Sequence, residues 1–245
     1  MKHYTTRIGL ATLAFVGIVC ASQDIPGGKG NYFTKEKLDA VYNATFRVDT
    51  AITLEQKVDD DEDFEKSWFG SGTLMIDSQT GDNYIFTAEH VTPDAIYISE
   101  KTKAASRVLK ESIAVEGQEA YVFKEDEEND LALLKLNRPL TGKNGQPSKP
   151  FTGEIAQFID PGDYIIGIGF PKGNKELFNT RVTEIADDAV YLDIHMIRGN
   201  SGGGIYLINS NDLQLCSVVT EFHNGPSLNK IREFFKGTPL EDDYL

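Results

Sequence analysis

In "AVYLDIH", Val190, Leu192 and Ile194 alternate with Tyr191 and Asp193. That period of two is the mark of a half-buried strand. Similar short apolar stretches recur along the chain, separated by turns rich in Gly, Asp, Asn or Lys. In the first half they are "VYNATFRVDTAI", "WFGSGTLMI", "NYIFTA", "AIYIS", "AYVF" with its partner "SIAV", and "LALLKL". The second half supplies "EIAQFI", "YIIGIGF", "TRVTEI", "AVYLDIH", "GIYLIN" and "LQLCSVVTEF". Between the halves, "LTGKNGQPSKPFTG" (140–153) concentrates Gly, Pro, Ser and Lys and reads as a linker. Helical spacing is clear only near the end. There Leu228, Ile231, Phe234 and Phe235 share one face behind Ser227 as a cap, and Gly237 and Pro239 stop the helix. The expected class is all-β, with two six-stranded antiparallel β-barrels and a C-terminal helix, since closed sheets leave few exposed edges.

Composition supports a folded chain: 245 residues, 40% hydrophobic and 10% aromatic, are enough for a sizeable core. A formal net charge of −14, without a Lys/Arg cluster, argues against a nucleic-acid partner. Lys2 and Arg7 accompany the apolar run "IGLATLAFVGIVC", which has the length of a signal-peptide core, and Val19 and Ala21 suit cleavage after Ala21. Export to a periplasm or the medium is therefore expected. Membrane attachment enters only through the alternative of lipidation at Cys20, for which "GIVC" lacks the usual leucine three residues before the cysteine. Loss of residues 1–21 removes Lys2 and Arg7 and no acid, which takes the charge from −14 to −16. It also leaves Cys216 alone, so no intrachain disulfide is expected. The boundaries that follow are signal peptide 1–21, N-terminal extension 22–36, first barrel 37–143, linker 144–152, second barrel with helix 153–237, and tail 238–245. The acidic run Asp59–Glu65 has the alternation of a calcium loop, but Phe64 stands where such a loop needs glycine, so a solvated acidic loop is the preferred reading. Ligands for zinc are not clustered, and no cofactor or metal is expected.

The chemistry begins at "RGNSGGG" (198–204). Gly199, Ser201 and Gly203 satisfy G-x-S-x-G, the nucleophile elbow of esterases and lipases. That elbow needs a helix after it, with an acid and a histidine later in the chain; here a strand pattern follows and the only downstream histidine is His223. Upstream, "IFTAEHV" contains His90 and "ENDLALLKL" contains Asp130. The order His90, Asp130, Ser201 is one known order of a nucleophilic triad. A serine hydroxyl needs a base during attack, imidazole titrates near working pH, and a carboxylate on its other nitrogen sets the tautomer.

Together "TAEHV", "NDLALLKL" and "GNSGGG" resemble the three signature segments of the chymotrypsin-like (trypsin-like) serine proteases. "GSGTLMI" resembles the strand before the histidine segment, "YIIGIGFPKG" the opening of the second barrel, and the likeness spans roughly residues 37–236. The resemblance implies an exported serine endopeptidase acting through an acyl-enzyme, with His90 as base, Asp130 as its orienting acid and Ser201 as nucleophile. It implies an oxyanion hole from the N–H groups of Gly199 and Ser201, and a substrate pocket near His195, Thr220 and Phe222. Asn200, where vertebrate digestive members carry aspartate, places the chain nearer the bacterial Deg-type and glutamyl endopeptidase branches and implies no activation by propeptide cleavage. No acid stands at His195, so a Lys/Arg preference is not implied, while glutamyl endopeptidases use a histidine to receive an acidic side chain. With the chain ending at Leu245, a protease domain without the PDZ domain of Deg-type proteins is expected.

Each residue also has a plainer reading: His90 as a core histidine, Asp130 as a turn residue, Ser201 as a small loop residue. Their order inside three matching segments favours the catalytic reading. Three function classes remain distinct: an active endopeptidase with protein or peptide substrates, a catalytically silent binding protein on the same fold, and the disfavoured esterase. A monomer is expected, and Cys216 is expected to be a buried thiol.

Overall fold

The computed structural model describes residues 34–56, 64–93, 105–142, 145–208, 213–221 and 223–245. The signal-peptide and Cys20 readings, the "AIYIS" strand, Asp59–Asp63 of the acidic run and Phe222 lie outside the described residues.

Helix α1 (Lys35–Ala44) opens the fold. Thr34 caps it, accepting a hydrogen bond from Lys37 N at 3.3 Å, and Leu38, Val41 and Ala44 recur at helical spacing with Val41 and Ala44 fully buried. The strand expected from Val41 therefore begins only at Thr45, whose hydroxyl donates to Val41 O at 2.8 Å. The capped turn prevails there over the β-propensity of an isolated valine.

Six strands follow: β1 (Thr45–Gln56), β2 (Phe64–Ile76), β3 (Asn83–Thr87), β4 (Ala105–Val115), β5 (Gln118–Asp126) and β6 (Leu131–Leu136). They close into a barrel in the order β1-β2-β3-β6-β5-β4, each pairing antiparallel. β3 is buried throughout and β6 at five of its six positions. The reason is that each faces two cores. Ile85, Leu134 and Leu136 point into the barrel, whereas Tyr84, Phe86, Leu131 and Leu133 join a second cluster outside it.

The second half departs from a six-stranded antiparallel barrel in detail. β7 (Glu154–Ile155), β8 (Tyr164–Gly169), β9 (Glu176–Ile185), β10 (Ala189–Leu192), β11 (Gly204–Ile208), β12 (Leu213–Val218) and β13 (Asn224–Pro226) form one curved sheet. Its order is β13-β10-β9-β8-β11-β12-β7, and β7 runs parallel to β12. β12 approaches β13 without a ladder, through Ser217 Oγ donating to Pro226 O at 2.7 Å. Only two residues of "EIAQFI" pair as strand, and "AVYLDIH" ends its strand at Leu192.

Helix α2 (Leu228–Phe235) buries Leu228, Ile231, Phe234 and Phe235 as the spacing predicts. Ser227 occupies the cap position without capping, its hydroxyl donating instead to Asp187 O at 2.9 Å. Phe86 of the first barrel meets Phe235 edge-on, with ring centroids 4.9 Å apart. A short helix α3 (Glu241–Tyr244) occupies the stretch read as tail. In the stretch read as linker, Leu140 and Phe151 are buried, and Phe151 N donates to Leu74 O at 2.8 Å.

Candidate active site

His90 lies in the single 3₁₀ turn Glu89–Val91 that follows β3, and Asp130 immediately precedes β6. β3 and β6 are paired neighbours, with Thr87 opposite Ala132, so the barrel brings the two residues together at one strand end. Asp130 holds the histidine with both oxygens: Oδ1 accepts from His90 N at 2.9 Å, and Oδ2 lies 2.8 Å from His90 Nδ1. In the neutral ring this places the proton on Nδ1 and leaves Nε2 as the basic atom. Asp130 has φ of 53°, a left-handed backbone that a non-glycine residue keeps only under external restraint. Burial of the ring opposes its charging. The hydrogen bond and charge of Asp130, with the charges of Glu89 and Glu221, outweigh that and raise the His90 pKa above its ordinary value.

Ser201 sits in the turn between β10 and β11, tied to the first barrel through one residue of β2, Ser71. Ser71 N donates to Ser201 O at 2.7 Å. Its hydroxyl donates to Gly199 O at 2.6 Å and accepts from Phe170 N at 2.9 Å. Its carbonyl accepts from Thr87 Oγ1 at 2.7 Å, three residues before His90. The two halves of the site thus share one fully buried serine. Ser201 Oγ itself makes no hydrogen bond to His90, a contact that in unliganded sites often forms only with substrate.

The glycines of the turn have specific work. Gly199 has φ of 98°, and a β-carbon there would lie 2.2 Å from Phe170 O; Gly202 has φ of 78°, and one there would lie 2.0 Å from Thr87 Oγ1. Neither position accepts a side chain without displacing the backbone. The N–H groups of Asn200, Gly202 and Gly203 donate to the carbonyls of Ile197, Val219 and Asn200. Those of Gly199 and Ser201 donate to no protein atom among the described residues.

A family model described as trypsin-like peptidase domain matches residues 70–213, more than half of the chain. The chain belongs to the trypsin-like peptidase family. No curated protein matches this chain in sequence. Among solved structures it is similar to Rv3671c of M. tuberculosis H37Rv, a serine-to-alanine mutant in an inactive form. The two share 16% identity over 81% of this chain and 88% of that one, with a TM-score of 0.52. Deg5 is 17% identical over 81% of this chain and 90% of that one, with a TM-score of 0.51. These two likenesses are of fold.

Of the other expected residues, His195 lies in the loop after β10 and Thr220 in the segment after β12. His195 Nδ1 lies 3.0 Å from His223 Nε2, and His223 Nδ1 donates to Ile194 O at 2.8 Å. Thr220 lies just past β12, its N donating to Asn224 O at 3.4 Å, and Phe222 is outside the described residues. The buried Asn200 places its Nδ2 3.9 Å from Met196 Sδ. Two open clefts, of about 330 and 320 Å³, flank the exposed Phe158, and none of His90, Asp130 and Ser201 lines either. Cys216 is buried and its thiol is pushed up by burial. Sequence reading missed Ser71 and Thr87. A small hydroxyl inside a strand carries no periodic or spacing signal, and only the pairing of the two halves reveals its partners.

Proposed function

We propose that this chain is a serine endopeptidase in which His90, Asp130 and Ser201 hydrolyse a peptide bond through an acyl-enzyme. The observation that carries the reading is the two-oxygen grip of Asp130 on His90, at 2.8 and 2.9 Å. It fixes the tautomer that a general base requires. His90 Nε2 takes the Ser201 proton as Oγ attacks the carbonyl carbon, then passes it to the leaving amine; water repeats the cycle on the ester. The N–H groups of Gly199 and Ser201 receive the oxyanion, and losing one such donor costs on the order of 3 kcal/mol in the transition state. The substrate side chain enters beside His195, Thr220 and Phe222, and the enzyme acts after export and removal of residues 1–21.

A fluorophosphonate probe on the mature protein tests this. Labelling is expected in the wild type, absent in Ser201→Ala and sharply reduced in His90→Ala. A well-folded wild type that takes no label would favour a silent binding protein instead. Cleavage-site profiling on a peptide library then reads the pocket.

A further inference from the structure

Lys175 lies outside every segment that bears a candidate site residue, yet its surroundings are unusual for a lysine. Its Nζ donates to Tyr42 O at 2.9 Å. It also lies over the rings of Tyr42, Phe46 and Phe170, at 4.7, 5.3 and 5.4 Å from their centroids. The cage draws on three places: α1, β1 and the segment after β8. Each ring face attracts a cation, and the attraction grows as water is excluded. Tyr42 O belongs to the last turn of α1, where carbonyls lack helical donors and the dipole favours positive charge. The helix supplies no basic residue of its own in that turn. Burial pulls the Lys175 pKa down to about 8, opposed by the charge of Glu116, so the cation still prevails at neutral pH.

Phe170 links this cage to the site. Its N–H donates both to Gly199 O at 3.2 Å and to Ser71 Oγ at 2.9 Å, and its carbonyl stands against the Gly199 α-carbon. Two residues on, Lys172 N donates to Arg198 O at 3.3 Å. Arg198 C=O and Gly199 N–H belong to one planar trans peptide, so holding the oxygen on one side turns the N–H to the other. Lys172 does this from a left-handed φ of 53°, a conformation that needs outside support.

We propose that Lys175 is a positioning residue: its caged ammonium pins Phe170 against α1 and so fixes the Arg198–Gly199 peptide with its N–H toward the developing oxyanion. The proposal rests on the serine-peptidase reading. Lys175→Met keeps a long apolar stem and removes the cation and its donor. The measurements are kcat per active site titrated with fluorophosphonate, KM, and the Ki of a peptidyl boronic acid, whose adduct with serine is tetrahedral. A loss of about tenfold in kcat is expected, with a parallel rise in boronate Ki and KM within about twofold. Lys175→Arg is expected to recover most of both, because a guanidinium also stacks on ring faces. A lysine that merely holds the fold together would lower the melting temperature or the titratable fraction and leave kcat per site and Ki unchanged; that result overturns the proposal. Should Lys175→Met not fold, Tyr42→Leu removes one wall of the cage and leaves its carbonyl. Losses of about threefold in kcat and in boronate affinity together are then expected, and unchanged values overturn the proposal. A wild type that is folded but neither labelled nor active would instead sink the peptidase reading, and this proposal with it.

Discussion

Ser71 shows what a single buried hydroxyl does at this site. Its Oγ both donates to Gly199 O and accepts from Phe170 N, while its own N–H holds Ser201 O. Ser71→Ala would leave the Phe170 N–H and the Gly199 carbonyl each one partner short in a dry place. A loss of about 1–3 kcal/mol in unfolding free energy is expected by urea titration, with lower kcat per titrated site. His90 yields a pH prediction of definite sign. Its folded pKa is raised above 6.5, so the base is neutral only above that value, and the acid limb of kcat/KM is expected above pH 6.5. The same shift acts oppositely on stability: the His90–Asp130 interaction contributes fully below about pH 6.5, the unfolded value, and is lost as pH rises through the raised folded pKa. Asp130→Asn should move the acid limb down and lower kcat by about 10⁴-fold, because the tautomer is no longer held. An acid limb unmoved in the variant would count against this assignment. His90, Asp130 and Ser201 could be singled out as candidates from the sequence because each sits in a segment whose chemistry constrains several neighbours. Ser71 could not, because its role exists only once two distant segments meet.

At the scale of elements, the runs that read best as strands were those with two buried faces. "NYIFT" and "LALLKL" are buried almost throughout because alternate residues serve different cores, and their pairing sets His90 beside Asp130. Elements with weak or composite signals were misread. α1 begins at a threonine cap in polar sequence, and its last turn overlaps the valine and alanine that suggested a strand. The Ser201 turn is the element whose geometry is least tolerant. Gly199→Ala would put a β-carbon 2.2 Å from Phe170 O at a φ of 98°, forcing the turn to rotate and its N–H groups to diverge. A fall of about 10²–10³-fold in kcat is expected, with near-normal far-ultraviolet circular dichroism, because no strand ladder passes through residue 199. A variant of wild-type activity would show that this turn does not position the oxyanion donors.

At the scale of the whole molecule, the two sheets share a core instead of merely touching. One cluster runs from Met75, Tyr84 and Phe86 of the first barrel through Phe151 and Tyr206 to Phe234, Phe235 and Tyr244. Buried hydroxyls cross-link it: Thr73 Oγ1 lies 2.9 Å from Tyr206 OH, and Tyr244 OH accepts from Ile76 N at 3.0 Å and donates to Phe151 O at 3.2 Å. The halves of the candidate site belong to different sheets, so their alignment depends on this shared core. Its existence could not be read from the strand count, because periodicity tells which residues are buried and not against which partner. Tyr244→Phe keeps the ring against Phe151, 6.3 Å between centroids, and strands Ile76 N without an acceptor, for a cost of about 1–3 kcal/mol. Tyr244→Ala also opens a cavity and is expected to cost about 3–5 kcal/mol. If the core is one cooperative unit, urea unfolding of Tyr244→Ala should remain a single transition at lower midpoint, with probe labelling of Ser201 lost at that same midpoint. Two separated transitions, with labelling lost in the first, would show instead that each sheet is stable alone and that the C-terminal helix only docks them.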